Sequence, residues 1–426
     1  MREAHAHIAS YGQSLAMPSL ASCTSIAECL DAVARAASAV PAGAFLRLHS
    51  ARIEAWSDPR WPTLAELDAA APRHPCVIMS FDHHAAAANS AALRAAGLCA
   101  GQRVEPNGLV LTDPATGLAS GLLLEHAAYR TWEAVPEPTV AEWRGMVLAA
   151  LHALAGLGFT QVHDLHSQPW LGPLLPDLER SGQWPIDSVW LYPPVASLAS
   201  VAADARSWSS PRIRLAGGKL FADGTLNSRT ALMLSEYREP LNNQPRGVAM
   251  VTPVQIDDAI RACEAVGGHL AVHAIGDGAV RMVLDALERT ATPRDPGNRH
   301  RIEHCELIDE ADIPRFARLG VVASVQPCHL LADVEVLTRQ LPHRLHRVLP
   351  LRDLVDAGCM PGGDDALLWF GSDVPIVRAD PGDSLQAATQ RRRAGSPQSD
   401  AIAWDQRLTS EEAMRALAAP RSPARG

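Results

Sequence analysis

Six polar side chains each close a short apolar run that reads as a β-strand, and they are spread from one end of the chain to the other. They are His5 and His7 in Glu-Ala-His-Ala-His, Lys219 in Gly-Gly-Lys-Leu-Phe-Ala-Asp-Gly, His273 in Ala-Val-His-Ala-Ile-Gly-Asp, His304 in Arg-Ile-Glu-His-Cys, and Asp373 in Phe-Gly-Ser-Asp-Val-Pro. Strand ends drawn from such distant positions fit a parallel barrel, which presents its chemistry at the C-terminal ends of its strands. One such motif alone would be weak. The whole set, in this order, is a strong constraint.

From about residue 140 onward, strand-like and helix-like segments alternate, the signature of a parallel sheet. A helix over 139–156 leads into Gly-Phe-Thr-Gln-Val-His-Asp. Further strands are predicted over 186–192, 212–221, 269–275, 300–307, 320–327 and 366–373. Helices are predicted over 254–266, 278–290, 309–319 and 349–357. With 3–8 at the N-terminus this gives the strand count of an α/β, (β/α)8 TIM barrel. A doubly wound sheet is the alternative, but it would gather its site at one switch point rather than from several strands. Residues 9–138 break the alternation: they are Ala-rich, with Trp56, Pro59, Trp61 and Pro62 clustered. The expected organisation is therefore 1–8 as barrel strand 1, 9–138 as a large insertion covering the barrel mouth, 139–419 as the rest of the barrel, and 420–426 as a disordered tail.

The net charge of −9 over 426 residues offers no electrostatic footprint for nucleic acid or an anionic membrane. No apolar run is long enough to span a bilayer, and the start lacks the basic-then-apolar pattern of a secretory signal. None of the eight cysteines forms a Cys-x-x-Cys pair. They read as reduced and mostly buried, which points to the cytoplasm. Cys305 and Cys328 stand beside motif residues and read as strand packing.

On a strand, His-x-His puts both imidazoles on one face, because side chains alternate with period two. Two imidazoles there can share a metal ion, and imidazole suits zinc and comparable divalent metals. Taken alone, His5 and His7 read rather as exposed loop histidines. Asp373 can face the barrel mouth from a Gly-Ser-Asp turn, bind metal and accept a proton, or simply cap a helix. His273 and His304 could be satisfied core histidines. Lys219 at the end of a buried strand is unusual.

His-Ala-His, the single lysine, two later histidines and Gly-Ser-Asp resemble the metal-dependent amidohydrolase superfamily. Lys-Leu-Phe-Ala-Asp-Gly-Thr-Leu-Asn-Ser-Arg-Thr-Ala with Tyr237 resembles its amidohydrolase-3 branch, which includes the N-substituted formamide deformylases. So do His-Ala-Ile-Gly-Asp-Gly-Ala-Val, Arg-Ile-Glu-His-Cys-Glu, Ser-Val-Gln-Pro-Cys-His, and His84-Ala followed by Asn89-Ser-Ala-Ala-Leu. The resemblance covers about 3–418. It implies that His5, His7 and Asp373 hold one metal. Lys219, carboxylated, would bridge to a second held by His273 and His304. One or two zinc ions are implied, with another divalent metal as an alternative. Asp373 would be the general base for metal-activated water attacking the carbonyl of a small amide-type substrate. His84, Asp223, Arg229 and His329 become candidates for substrate contact or ligand support, with caps and loop ion pairs as the plain alternative. Asp277 is expected to cap the helix that follows, and Glu303 to sit on the strand face opposite His304.

The family's small β-sandwich, built from both chain ends, is expected to be missing here, through a truncated gene model or a real loss. The surface it covers would then favour oligomerisation. Two other functions compete with cleavage of non-peptide C–N bonds. The same site could hydrolyse an ester, lactone or cyclic amide, or a degenerate barrel could bind a ligand without turnover.

Overall fold

Every residue of Arg2–Ala6, Gln161–Leu165, His269–Ala274, Arg301–His304 and Val322–Val325 is buried. Burial on both faces is the mark of parallel strands. The histidines and acids within these strands therefore lie in the interior and need partners there. The computed structural model describes all residues except 54–55, 82–84, 106–107, 136, 241–243, 291–298, 364 and 420–426. In chain order its strands are β1 (Arg2–Ala6), β2 (Leu46–Ala51), β3 (Cys76–Ser80), β4 (Ala85–Ala88), β5 (Arg103–Val104), β6 (Gly108–Thr112), β7 (Ala119–Leu124), β8 (Gln161–Leu165), β9 (Ser188–Tyr192), β10 (Ile213–Leu215), β11 (Gly217–Phe221), β12 (His269–Ala274), β13 (Arg301–His304), β14 (Val322–Val325) and β15 (Leu368–Phe370).

The chain divides into two compact units, Met1–Tyr11 with Val147–Gly426, and Gly12–Met146. The first is α/β. Its strands form a four-stranded sheet ordered β1-β8-β9-β10 and a five-stranded sheet ordered β11-β12-β13-β14-β15. All their pairings are parallel. Helices Leu171–Arg180, Val195–Trp208, Asp277–Thr290, Ile313–Leu319 and Pro381–Gln390 follow β8, β9, β12, β13 and β15. Pro253–Ala265 precedes β12. It starts where Thr252 and Gln255 form a capping box with Pro253 in the first turn.

Two predicted strands are corrected. The run 212–221 is broken at Ala216, whose N–H donates to Leu191, so β10 stays with β9 while β11 turns to β12. Isolated parallel bridges, Pro194 to Lys219 and Ala6 to Val374, link the two sheets. The run 366–373 forms only the short β15. Gly371 then lets the chain press against β1: a Cβ there would stand 2.5 Å from the His5 nitrogen.

The second unit is a folded body rather than an irregular loop. Its six-stranded mixed sheet is ordered β2-β3-β4-β7-β6-β5. Leu20, Cys29, Val33, Leu48 and Ile78 belong to one buried cluster, and Val77, Met79, Leu93, Val110 and Leu123 to another. Among the described residues no helix is long and apolar enough to cross a membrane.

Candidate metal centre

β1 carries His5, and His7 stands one residue beyond it. Their rings lie 5.4 Å apart. Asp373 Oδ1 reaches both, at 2.9 Å from His7 Nε2 and 3.3 Å from His5 Nε2. It is brought there by backbone pairing: its N–H donates to the His5 carbonyl, and the His7 N–H to that of Val374. Ligand atoms of His5, His7 and Asp373 all lie within 4.8 Å of one another. Burial alone would raise the Asp373 pKa, but His5, His7 and His329 outweigh it and hold the carboxyl well below its usual range. Asp373 and His304 adopt φ of 65° and 71°. Such left-handed backbone is uncommon outside glycine and clusters at functional sites.

The remaining predicted ligands gather beside this trio. The His304 ring lies 4.9 Å from that of His5 and 4.4 Å from that of His273. The His273 Nε2–H donates to the Gly224 carbonyl at 3.0 Å, which leaves Nδ1 as the nitrogen able to bind a cation. Lys219 is 2% exposed, and among the described residues its Nζ has no hydrogen-bond partner. Burial lowers its pKa to about 8.

The other predicted residues divide. His329 is buried at the site, with Nδ1 3.4 Å from Glu306 and Nε2 3.9 Å from Asp373. Asp223 accepts three backbone N–H bonds, from Leu232, Ile275 and Gly276. Its carboxylate clamps a loop, with burial raising its pKa to about 7 against the pull of those amides. Arg229 donates to the Glu239 carbonyl. Asp277 does not precede its helix as a cap. It is the first helical residue, and it accepts the Leu234 N–H and pairs with Arg344. His84 lies outside the described residues.

Residues 1–420 match the model of the amidohydrolase family. The chain belongs to the amidohydrolase family. It is 29% identical over 361 residues to Protein LONG AFTER FAR-RED 3 of Arabidopsis thaliana. That match covers 79% of this chain and 59% of the relative, so it spans less than two thirds of the plant protein. N-substituted formamide deformylase of Arthrobacter pascens is 25% identical over 406 residues, covering 91% of this chain and 71% of that one. A metal-dependent hydrolase of solved structure from Pyrococcus horikoshii superposes with a TM-score of 0.75 at 26% identity, covering 97% of this chain and 78% of that one.

Two acids in this member of the amidohydrolase family escaped the sequence reading. Glu306 joins His304 and His329 in a second buried group whose ligand atoms lie within 4.8 Å. Its signal was a glutamate two residues after His304. Glu303, read only as facing away from His304, lies 2.7 Å from His5 Nδ1. That contact joins strands that are not neighbours, so no local pattern announces it.

Proposed function

We propose that this chain is a metal-dependent hydrolase of non-peptide carbon–nitrogen bonds of the amide or formamide type. It would work from a (β/α)8 barrel formed by β1, β8, β9, β10 with β11, and β12 to β15. The observation that carries the reading is the convergence of His5, His7 and Asp373, which lie at opposite ends of the sequence. The similarity to a formamide deformylase supports the bond type.

The donors suit a divalent cation such as zinc: imidazoles and a carboxylate, with His5 and Asp373 buried and His7 partly so. Lys219 Nζ, His304 Nδ1 and His329 Nε2 are buried polar atoms with no hydrogen-bond partner among the described residues, which a protein rarely tolerates without a further group to meet them. His5, His7 and Asp373 would hold one ion. Lys219 with His273 and His304 would hold a second. Nζ would first bond to the carbon of CO2 and lose a proton, turning a lone amine into an anion with two oxygens. The lowered pKa of about 8 keeps part of the amine neutral, hence nucleophilic, near neutral pH. A bound zinc ion supplies acidification of water and polarisation of a carbonyl. Asp373 stays ionised, takes a proton from the attacking water and returns it to the leaving nitrogen. His329, with Nε2 3.9 Å from Asp373, would hold the substrate.

Elemental mass spectrometry of the purified chain, beside Lys219→Ala, tests the reading together with a panel of formamides, amides, esters and lactones. We expect one or two equivalents of zinc, fewer in the variant, and turnover of C–N substrates. Turnover of esters or lactones alone would change the bond class. A chain that takes up no metal after reconstitution would remove the hydrolase reading and leave a ligand-binding barrel.

A further inference from the structure

We propose that Glu303 and Arg301 are positioning residues that set the tautomer and tilt of His5, and so decide which of its nitrogens meets a cation. The inference rests on the metal-dependent reading above. Glu303 Oε2 lies 2.7 Å from His5 Nδ1, and both side chains are almost wholly buried. An ionised carboxylate only accepts, so Nδ1 carries the imidazole proton and Nε2 is left bare. Nε2 is the nitrogen 3.3 Å from Asp373 Oδ1, on the side where the ligand atoms gather. The Gln326 amide nitrogen stands 3.3 Å from the same Nδ1. A protonated Nδ1 cannot accept from it, and the shorter, charge-assisted contact prevails.

Glu303 is held in turn. Arg301 donates from Nε to Oε1, and from a terminal nitrogen to Oε2 at 3.0 Å. A guanidinium grips a carboxylate in this way from two directions, which fixes its plane. Arg301 also donates to the Ala4 carbonyl at 2.5 Å, Ser324 Oγ at 2.7 Å and His163 Nδ1 at 2.7 Å. Those partners belong to β1, β14 and β8. Ala4 precedes His5, so one buried arginine ties down both the backbone of β1 and, through Glu303, the imidazole it carries. Partners of this kind on metal-binding histidines fix ring orientation and raise affinity.

Glu303→Gln discriminates because it places an NH2 group at one of the two oxygens. Facing Arg301, that group opposes a donor. Facing His5, it donates to Nδ1 and drives the ring proton to Nε2, the side a cation needs. Metal-stripped wild type, Glu303→Gln, Glu303→Asp and Arg301→Lys should be titrated with zinc against a chromophoric chelator. Circular dichroism melts of the same stripped samples monitor the fold. We expect zinc affinity to fall about 10- to 100-fold in Glu303→Gln. A smaller loss is expected in Glu303→Asp, which keeps the charge, with cooperative melts retained. Unchanged affinity in folded Glu303→Gln overturns the inference, even if its Tm drops. Should that variant not fold, unchanged affinity in Arg301→Lys overturns it equally. A wild type that binds no zinc overturns the metal-dependent reading itself.

Discussion

Asp373 is the residue on which the proposed chemistry turns, because one carboxylate meets two histidines and is kept ionised by them. Asp373→Asn keeps the size and loses the proposed base. Turnover should fall by about 10²- to 10⁴-fold while the circular dichroism spectrum stays that of wild type. Full activity in this variant would remove Asp373 as base. His329 has a separate, pH-dependent effect on stability. Burial lowers its pKa, but Glu306 and then Asp373 and Asp333 outweigh it, raising it from 6.5 to about 9. A raised folded-state pKa contributes stability that is complete below the unfolded value and lost as pH rises through the folded one. Urea midpoints of metal-free wild type minus those of His329→Gln should therefore decline between about pH 6.5 and 9. The subtraction matters because Lys219, with a lowered pKa of about 8, acts in the opposite sense. His5, His7 and Asp373 were legible in sequence because each sits in a motif at an expected strand end. Glu303 was not, because strand alternation tells which face a side chain takes and not which distant strand it meets.

Among the elements, the junction of β1 and β15 depends on a missing side chain. A Cβ on Gly371 would fall 2.5 Å from a backbone nitrogen, which cannot rotate away. Gly371→Ala should destabilise the metal-free protein by about 1–3 kcal/mol, as overpacking does, and weaken zinc binding by moving His5 from Asp373. Melts and chelator titration would show both; an unchanged Tm would mean that the two strands part freely. The strand order of the first unit was largely readable from alternating apolar runs. The break at Ala216 was not, since nothing in Arg-Leu-Ala-Gly-Gly-Lys tells which neighbour a strand follows. The sheet of the other unit was the least legible. Its central β4 is four alanines, a residue type that favours helix, buried as a strand between β3 and β7. Tertiary pairing there overrides local preference.

At the scale of the whole molecule, Gly12–Met146 is one uninterrupted stretch with its own sheet and buried clusters, whereas the other unit is assembled from two stretches. The stretch 12–146 expressed alone should therefore give a mixed α/β circular dichroism spectrum and a cooperative thermal melt. A featureless melt would show that its clusters do not suffice for independent folding. The split of the first unit also sets a schedule. β1 leaves the ribosome first, yet its partner β8 lies beyond the whole intervening unit, and His7 meets Asp373 across 366 positions. At about 5–20 residues per second, roughly 20–70 s of synthesis separate the two halves of that contact. Until β8 is made the strand is unpaired, and until Asp373 is made His5 on it and His7 just beyond it lack their carboxylate. The nascent chain should be most open to chaperone capture, and to scavenging of stray metal, before its last strand is made.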